Sequence, residues 1–283
     1  MFSLIVATMG RTAELAALFA SLAAQGGEAF EVIVVDQNGD DRLLPVLAAA
    51  PVPVLHLRTR RAGANAARNL GLRRACHPLV AFPDDDCTLP PGTLARVRAA
   101  FAGDPSLAIL TGPAEAPGGA LGSGRWRREA GAITLADVWT SVIEFNLWIG
   151  RDHALALGGF DEAMGPGARF GSAEGNDLVC RALARGLRAR YEPALRVTHP
   201  DKRLTPEAVE RAGRYALGLG FALRRHRVPP GVWLPFLVRP LGGAALSLAR
   251  GNLLAARYYL ATLRGRAEGM LAAPLPEPTS LPP

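Results

Sequence analysis

The sequence predicts an α/β fold, in which a mostly parallel sheet is flanked by helices and followed by a helical, arginine-rich C-terminal appendage. Three observations support this prediction. Short β-branched runs alternate with helical stretches through the first half of the chain, as in right-handed strand–helix–strand units. Runs such as FEVIVVD (30–36) are apolar without interruption, which is typical of strands buried on both faces. Beyond residue 204 the pattern is helical and rich in arginine.

Strands and helices alternate in the first half. The strands are predicted at FSLIVA (2–7), FEVIVVD (30–36), VPVLHLR (52–58), PLVAFPD (78–84) and LAILTGP (107–113). Helices are predicted between them where apolar residues recur at helical spacing. These helices are TAELAALFASLAAQ (12–25), GANAARNLGLRRA (63–75) and PGTLARVRAAFAG (91–103).

The second half is less regular and begins with a glycine-rich stretch at 114–130. A strand is predicted at SVIEFNLWIG (141–150) and a short helix within RDHALALGGFDEAMG (151–165). An amphipathic helix is predicted at AEGNDLVCRALARG (173–186), and extended structure at RYEPALRVTH (190–199).

Composition limits the classes of function. The formal net charge is +7, and because Lys202 is the only lysine, the basic side chains are almost all arginine. No interleaving of basic and aromatic residues is evident, so a nucleic-acid partner is not expected. The three cysteines are odd in number and far apart, which indicates neither a disulfide framework nor a zinc site. The first apolar run is too short for a signal peptide, and we expect a cytoplasmic protein.

Three consecutive carboxylates, Asp84, Asp85 and Asp86, follow the fourth predicted strand. Carboxylates this close repel one another unless positive charge lies nearby. A solvated turn is one explanation, and a divalent cation held by carboxylate oxygens is the other.

The positions of other strand ends favour the cation. Thr8 and Asp36 end the first two predicted strands, as the acidic run ends the fourth. Ligands of parallel sheets bind at the carboxyl ends of the strands. All three groups are therefore expected along one edge, where we predict a site for Mn²⁺ or Mg²⁺.

Several motifs, in this order, resemble those of the family 2 glycosyltransferases, enzymes of the Rossmann-like GT-A fold that use nucleotide sugars. The resemblance covers residues 2–200. It is carried by LIVATMGR (4–11), VIVVDQN (32–38), GANAARNLGL (63–72), FPDDDCTLP (82–90), LGGFDE (157–162), FGSAEGNDLVCRALARG (170–186) and YEPALRVTH (191–199). It implies a catalytic domain at 1–203, with a nucleotide-binding half at 1–112 and an acceptor-side half at 113–203.

The resemblance implies a metal and diphosphate site. Asp84 and Asp86 would present carboxylates to the cation, and His199 matches a late metal contact of the family. The cation would stabilise the charge that develops on the leaving diphosphate. Lys202 and Arg203 would meet the diphosphate as positive charges.

The same resemblance implies the donor contacts. Asp36 and Gln37 would face the nucleotide base, and a glutamine amide can read the N3–H and a carbonyl of uracil or thymine. Met9 stands where the family often has an aromatic residue, so the base preference stays open. The other side chains assigned to the donor are Thr8, Arg11, Arg68, Asp84 and Asp85.

The catalytic base is the position where the motif departs from the family. Inversion needs a carboxylate that takes the proton of the acceptor hydroxyl. The residue that the family usually gives to this role is Gly175 here. Glu174 and Asp177 are the two candidates, while Glu174 would alternatively only stabilise the helix N-terminus.

The C-terminal region is divided into helices at 204–271 and a disordered, proline-rich tail at 272–283. Ten arginines against four glutamates beyond residue 204 give this region an excess of +6 (10 − 4). The apolar run VWLPFLVRPLGGAALSLA (232–249) is broken by Pro235, Arg239 and Pro240, which argues against a spanning helix. We expect an interfacial element on the anionic inner face of the cytoplasmic membrane. The alternative is an ordinary helical appendage or a dimer contact.

The sequence therefore predicts an inverting, metal-dependent glycosyltransferase that acts in cell-surface polysaccharide synthesis. Its donor would be a UDP- or dTDP-sugar, and its acceptor a glycan or a lipid-linked molecule. A non-catalytic scaffold subunit that only binds nucleotide sugars is the alternative, motivated by Gly175. A sugar nucleotidyltransferase is disfavoured, because ATMGRTAEL (7–15) lacks the glycine-rich, basic loop that such an enzyme would need.

Overall fold

The computed structural model describes residues 1–122, 124–201 and 203–282. Eight strands within them form one sheet in the order β3-β2-β1-β4-β8-β5-β9-β7, and β10 and β6 form a second, two-stranded sheet. The strands are β1 (Phe2–Thr8), β2 (Phe30–Asp36), β3 (Val54–Arg58), β4 (Leu79–Ala81), β5 (Leu107–Thr111), β6 (Ala114–Glu115), β7 (Gly131–Ala132), β8 (Leu147–Gly150), β9 (Arg188–Tyr191) and β10 (Val197–Thr198).

Helices cover both faces of the main sheet and form the C-terminal region. They are α1 (Ala13–Ala23), α2 (Leu44–Ala48), α3 (Ala64–Arg74), α4 (Thr93–Gly103), α5 (Arg151–Ala156), α6 (Glu174–Ala184), α7 (Pro206–Arg225), α8 (Pro230–Ala249) and α9 (Leu253–Leu271).

The predicted α/β architecture is confirmed. β1 to β4 are mutually parallel in the order 3-2-1-4, and β1 and β2 pair in register from Phe2↔Phe30 to Thr8↔Asp36. Side chains alternate between two cores, since Ile5 packs on one face of the sheet and Leu4 and Val6 pack on the other. Parallel strands with such continuous apolar sequences are typical of sheets that helices cover on both faces.

The structure differs from the sequence prediction at one strand and contains one helix that was not predicted. The strand predicted at 141–150 is a short 3₁₀ turn at Glu144–Asn146 followed by β8, which inserts antiparallel between β4 and β5. The helix α2 has no counterpart among the predictions, because its five residues are too few to show a helical period.

The helix α7 packs against the main domain across the boundary that we predicted after residue 203. The ring of Phe221 stacks on that of Phe170 at 3.8 Å between centroids. Arg225 Nη1 lies 2.6 Å from Asp161 Oδ2. The Ser172 hydroxyl donates to the carbonyl oxygen of Tyr215 over 2.6 Å. These contacts fix α7 against the loop that leads into α6.

The proline-rich tail differs from the disordered segment that we expected. Its described residues, 272–282, form neither helix nor strand, but they make defined contacts. The Leu281 N–H donates to the Leu155 carbonyl oxygen over 2.9 Å, and Arg225 Nη2 donates to that of Pro276 over 2.9 Å. Leu281 also packs against the core of the main domain. Buried apolar surface and backbone hydrogen bonds therefore hold this segment on the domain.

The helices α7 and α9 pack through glycines. A Cβ added to Gly265 would overlap the carbonyl oxygen of Gly213, and one added to Gly220 would overlap that of Arg266. The two backbones therefore approach more closely than larger residues would allow. The helix α8 packs on α9 but is otherwise open, since only 17% of its most apolar 18-residue window is buried. With a mean hydropathy of 1.4 over that window, α8 is long and apolar enough to cross a membrane.

Candidate functional site

A cavity of about 690 Å³ opens at the carboxyl ends of β1, β2 and β4. This is the edge at which parallel sheets bind their ligands. Of the residues that the sequence assigned to the site, those lining this cavity are Arg11, Gln37, Arg68, Asp84, Asp85, Asp86, Glu174, His199 and Arg203. Thr8, Asp36 and Asp177 are absent from its described lining, and Lys202 lies outside the described residues.

Arg11 supplies the positive charge that the acidic run requires. Its Nη1 lies 2.6 Å from Asp85 Oδ1 and 2.6 Å from Asp86 Oδ2. The Thr8 hydroxyl donates to Asp85 Oδ2 over 2.7 Å, so Thr8 helps to position the second carboxylate of the acidic run. Burial raises the pKa of Asp85, and the bonds from Thr8 and Arg11 oppose that rise.

Asp84, Asp86 and His199 could hold a metal ion together, since their ligand atoms lie within 4.8 Å of one another. Asp86 Oδ1 is buried and has no hydrogen-bond partner among the described residues, as expected of an atom placed for a cation. Carboxylate oxygens and an imidazole nitrogen are ligands that Mn²⁺ accepts, and Mg²⁺ uses the carboxylates. The donor set therefore fits a divalent ion.

The ring of His199 is already oriented for this role. Its Nδ1 lies 2.8 Å from the carbonyl oxygen of Pro200, so Nδ1 is the donor, and in the neutral ring Nε2 carries the lone pair. Nε2 points to Asp86 Oδ1 at 3.4 Å. The ring also stacks on Phe145, 4.7 Å between centroids. Fixing the tautomer through the second ring nitrogen is the usual support of a metal-binding histidine.

Arg68 joins the metal site to the candidate catalytic group. It is 2% exposed on α3, and its Nη2 lies 2.7 Å from Asp84 Oδ1 while its Nη1 lies 3.2 Å from Glu174 Oε1. The charges of Asp84 and Glu174 raise its pKa despite burial. Arg68 thus orients two carboxylates and leaves little of its own surface for a nucleotide.

Glu174 begins α6 and lies almost fully buried at the cavity wall, 1% exposed. The residue before it, Ala173, has a left-handed backbone with φ of 67°, a costly conformation for a residue other than glycine. Burial, followed by the negative charge of Glu144, raises the pKa of Glu174 to about 8, and Arg68 opposes the rise. A carboxylate with a pKa near neutrality is well placed to accept a proton.

Glu144 was not among the predicted site residues. It lines the cavity on the 3₁₀ turn before β8 and acts electrostatically on Glu174. A Cβ at Gly175 would lie 3.1 Å from the Glu144 backbone nitrogen and 3.2 Å from its Cβ, so the glycine makes room for this turn. The signal in the sequence was a single acidic residue inside an apolar run, SVIEFNLWIG (141–150).

Asp36 faces neighbouring protein groups, although we expected it to meet the nucleotide base. Its Oδ1 accepts from the Asn38 backbone N–H over 2.8 Å, and its Oδ2 lies 3.0 Å from His56 Nε2. Gln37 does line the cavity, where its Oε1 accepts from the Gly63 N–H over 3.0 Å. Its amide NH₂ is therefore the group that would donate to a ligand.

Asp177 is buried one turn beyond Glu174 in a cluster of cations. Its Oδ2 lies 2.8 Å from Arg181 Nε, and its Oδ1 lies 2.8 Å from His226 Nε2 and 3.4 Å from Arg225 Nη1. Burial would raise the pKa of Asp177, but the His226 bond and the two arginines outweigh burial and lower it. The geometry therefore gives Asp177 a structural role that joins α6 to α7.

Comparison with known proteins identifies a family model that matches residues 3–148, described as Glycosyl transferase family 2. A curated relative from Mycobacterium tuberculosis, a pre-mycofactocin glycosyltransferase, is 30% identical over 260 residues, which are 83% of this chain and 51% of the relative. This chain spans about half the length, or less, of the curated relatives that it matches.

Two solved structures share the fold at low sequence identity. The mannosyltransferase PcManGT from Pyrobaculum calidifontis, in complex with GDP-Man and Mn²⁺, aligns with a TM-score of 0.61 at 20% identity, over 97% of this chain and 76% of that one. S. aureus TarS 1–349 in complex with UDP-GlcNAc aligns with a TM-score of 0.59 at 18% identity, over 94% of this chain and 91% of that one.

Proposed function

The chain belongs to glycosyl transferase family 2 and has the GT-A fold, and from this premise we propose that it is an inverting, metal-dependent glycosyltransferase. The observation that carries the proposal is one cavity that combines Asp84, Asp86 and His199 with a buried carboxylate, Glu174. Asp84, Asp86 and His199 suit a divalent cation and the diphosphate bound to it, and Glu174 suits a proton transfer. A protein that only binds nucleotide sugars would need the three metal ligands but not Glu174.

Asp84, Asp86 and His199 would hold Mn²⁺ or Mg²⁺. Such an ion, when bound, supplies positive charge that stabilises a leaving diphosphate. Arg203 lines the same cavity and would add a further cation for the diphosphate oxygens. The structures of PcManGT with GDP-Man and Mn²⁺ and of TarS with UDP-GlcNAc support a nucleotide-sugar donor.

We propose a direct displacement at the anomeric carbon of the donor sugar. The acceptor hydroxyl oxygen forms a bond to that carbon while the bond from carbon to the diphosphate oxygen breaks. The nucleoside diphosphate leaves with the electron pair, and the hydroxyl proton passes to the Glu174 carboxylate. Arg68 holds that carboxylate in place through its 3.2 Å contact. The configuration at the anomeric carbon is inverted.

The base of the donor is proposed to be uracil or thymine. Gln37 is the cavity residue that supports this, because its NH₂ group can donate to a pyrimidine carbonyl. Asp36 supports the pocket indirectly by fixing the chain around Asn38.

The proposed acceptor is a glycan or lipid-linked molecule of cell-surface polysaccharide synthesis, and the proposed location is the inner face of the cytoplasmic membrane. The support is the outer surface of α8, where Val238 and Leu241 are 55% and 56% exposed. Exposed arginines border this apolar surface at Arg239, Arg250 and Arg257. An apolar helix face bordered by cations is complementary to anionic lipid.

The experiment for this proposal is transfer by the purified protein from UDP- and dTDP-sugars across an acceptor panel with Mn²⁺, measured as nucleotide release and product mass. We expect transfer that depends on the metal and on Glu174. Donor binding without transfer to any acceptor, unchanged in Glu174→Gln, would instead support a scaffold subunit that binds nucleotide sugars.

A further inference from the structure

A second cavity, of about 610 Å³, lies between α7 and α9. It shares part of its lining with the first cavity, so the two cavities adjoin. The shared residues are Ser172, Asp201, Arg203, Arg211 and Tyr215. We call this second cavity the α7–α9 groove. A molecule in it would lie next to the cavity that contains Glu174 and the candidate metal ligands.

The walls of the groove are largely apolar and aromatic. One wall is a row of small or aliphatic residues of α7, namely Ala208, Ala212, Ala216 and Leu219. The other wall is formed by α9, which contributes Ala255, Tyr258, Tyr259 and Thr262. Small side chains opposite tyrosines leave a channel suited to a flexible apolar chain.

The groove is also cationic at both ends. Arg203 and Arg211 lie where it joins the first cavity, and Arg266 lines its other part. Arg266 Nη1 donates to the Phe236 carbonyl oxygen over 2.5 Å, while its Nε is buried without a partner among the described residues. Among the described residues that line the groove, Asp201 is the one acidic residue, and there is no glutamate. The groove is therefore complementary to an anion with an apolar portion.

The wall formed by α9 is backed by α8. The Tyr259 ring packs directly against Gly243 of α8, where an added Cβ would lie 2.9 Å from the ring atoms. Arg266 donates to the carbonyl oxygen of Phe236, which is also in α8. The apolar outer surface of α8 is thus one helix away from the groove. A tail that enters from a lipid surface at α8 would travel a short distance to reach the groove.

We propose that the α7–α9 groove binds the acceptor, and that this acceptor is a lipid-linked molecule with an anionic linker. This rests on the proposed glycosyltransferase function. The apolar tail lies between the α7 alanines and Tyr258 and Tyr259, and the linker lies at Arg203 and Arg211. The hydroxyl that reacts then lies in the first cavity near Glu174. The shared wall of the two cavities and the arginines on it carry the assignment.

The test is calorimetric binding of decyl phosphate below its micellar concentration to the full chain, with inorganic phosphate, decanol and maltotriose as separate probes. Decyl phosphate is expected to bind more tightly than phosphate or decanol, because it fills both parts of the site. In Ala212→Trp, which fills the groove, we expect its affinity to fall by at least about tenfold. Ala99→Trp, at an exposed position on α4, is the matched control and should not change binding.

Binding of UDP with Mn²⁺ is measured on the same variants. Retention of UDP binding by Ala212→Trp shows that the variant is folded and separates this proposal from the proposed function. The proposal is overturned if decyl phosphate does not bind, or binds Ala212→Trp and the wild type equally. It is also overturned if maltotriose, and not decyl phosphate, binds in a manner sensitive to Ala212→Trp, because the groove would then be a glycan site. Absence of UDP binding in a wild type that binds decyl phosphate more tightly than Ala212→Trp does would count against the donor site and support the groove.

Discussion

Two arginines organise the acidic residues of the site. Arg11 bridges Asp85 and Asp86, and Arg68 bridges Asp84 and Glu174. Both contacts neutralise carboxylates that would otherwise repel one another in a partly buried cavity. Asp86 Oδ1 accepts no hydrogen bond within the described part of the chain and lies 3.4 Å from His199 Nε2, so both atoms are available to a cation.

Substitutions of Glu174 and Asp177 should have different effects, the first on turnover and the second on stability. Glu174→Gln keeps the size of the side chain and removes the proton acceptor, so kcat should fall by about 10²–10⁴ with UDP binding retained. Asp177→Asn should leave Arg181 and Arg225 facing a neutral amide and destabilise the fold by about 3–5 kcal/mol. Transfer assays and urea unfolding followed by tryptophan fluorescence measure the two effects. A stable Asp177→Asn protein with abolished turnover and normal UDP binding would reverse the assignment.

The activity of the protein should depend on pH through Glu174. Its pKa is raised from 4.5 to about 8, so turnover that needs the unprotonated carboxylate should rise as pH increases towards 8. The folded protein holds this proton more tightly than the unfolded chain. The resulting contribution to stability is therefore fully present below pH 4.5 and is lost as pH rises through about 8.

Glu144→Gln tests the cause of this shift. Removing the negative charge of Glu144 should lower the pKa of Glu174 and move the rising limb of the kcat–pH profile to lower pH. Glu192→Gln, directly after β9, is a control that should leave the profile unchanged. An unmoved profile in Glu144→Gln would show that Glu144 does not act on the catalytic proton.

Sequence reasoning predicted that several of these residues lie at one edge of the sheet, but it did not predict the hydrogen bonds among them. Strand ends and motif order placed Asp84, Asp86 and His199 together, because parallel strands deliver their carboxyl ends to one edge. Thr8 and Asp36 lie at the same edge, but the Thr8 hydroxyl donates to Asp85, and the Asp36 carboxylate contacts His56. Which groups a strand-end residue bonds depends on contacts made by distant segments, and a sequence pattern does not contain those contacts.

The close packing of α7 and α9 determines the shape of the groove between these two helices. Gly265 is buried against α7, and adding a methyl group would force the two helices apart. Gly265→Ala should therefore lower the free energy of unfolding by about 1–3 kcal/mol, despite the better helix propensity of alanine. Urea unfolding measures this change.

Gly242→Ala provides the matched control for that variant. Gly242 lies in α8 with nothing within 4 Å of the added Cβ, so alanine should be neutral or stabilising by up to about 1 kcal/mol. Equal effects of the two substitutions would mean that the α7–α9 contact does not depend on glycine.

The sequence predicted most elements because their apolar periods were long and clear, as in β1, β2 and α6. It failed where tertiary pairing overrides a local pattern. The run at 141–150 has strand character throughout, yet only Leu147–Gly150 pairs with the sheet, and the preceding turn brings Glu144 into the cavity. The contacts of Phe221 and Arg225 with the main domain were likewise not predicted, because such contacts have no signature in composition.

For the whole molecule, the distribution of charge leads to a prediction about membranes. The C-terminal region carries most of the net positive charge, and the exposed apolar residues of α8 lie within it. The protein should sediment with phosphatidylglycerol vesicles at low salt and less with phosphatidylcholine vesicles, because arginines near the surface each contribute about 1 kcal/mol. Added salt should weaken the binding.

Val238→Glu with Leu241→Glu should reduce this sedimentation, since both side chains are more than half exposed on α8. Leu44→Glu replaces a leucine of similar exposure, 47%, on α2 and should have no effect. Sedimentation that is absent in the wild type, or equally reduced by Leu44→Glu, would rule out the proposed membrane surface.

We propose that the acidic run, Asp84 to Asp86, holds a divalent cation against the diphosphate of a nucleotide donor. Calorimetric titration of UDP and of dTDP, with and without Mn²⁺, into the wild type and Asp86→Asn tests it most directly. Asp152→Asn, whose carboxylate side chain is 91% exposed, is the matched control. Nucleotide binding should require Mn²⁺, weaken by more than about tenfold in Asp86→Asn and persist in Asp152→Asn. Binding that is independent of Mn²⁺ and equal in all three proteins, or no binding by folded wild type, would contradict the claim.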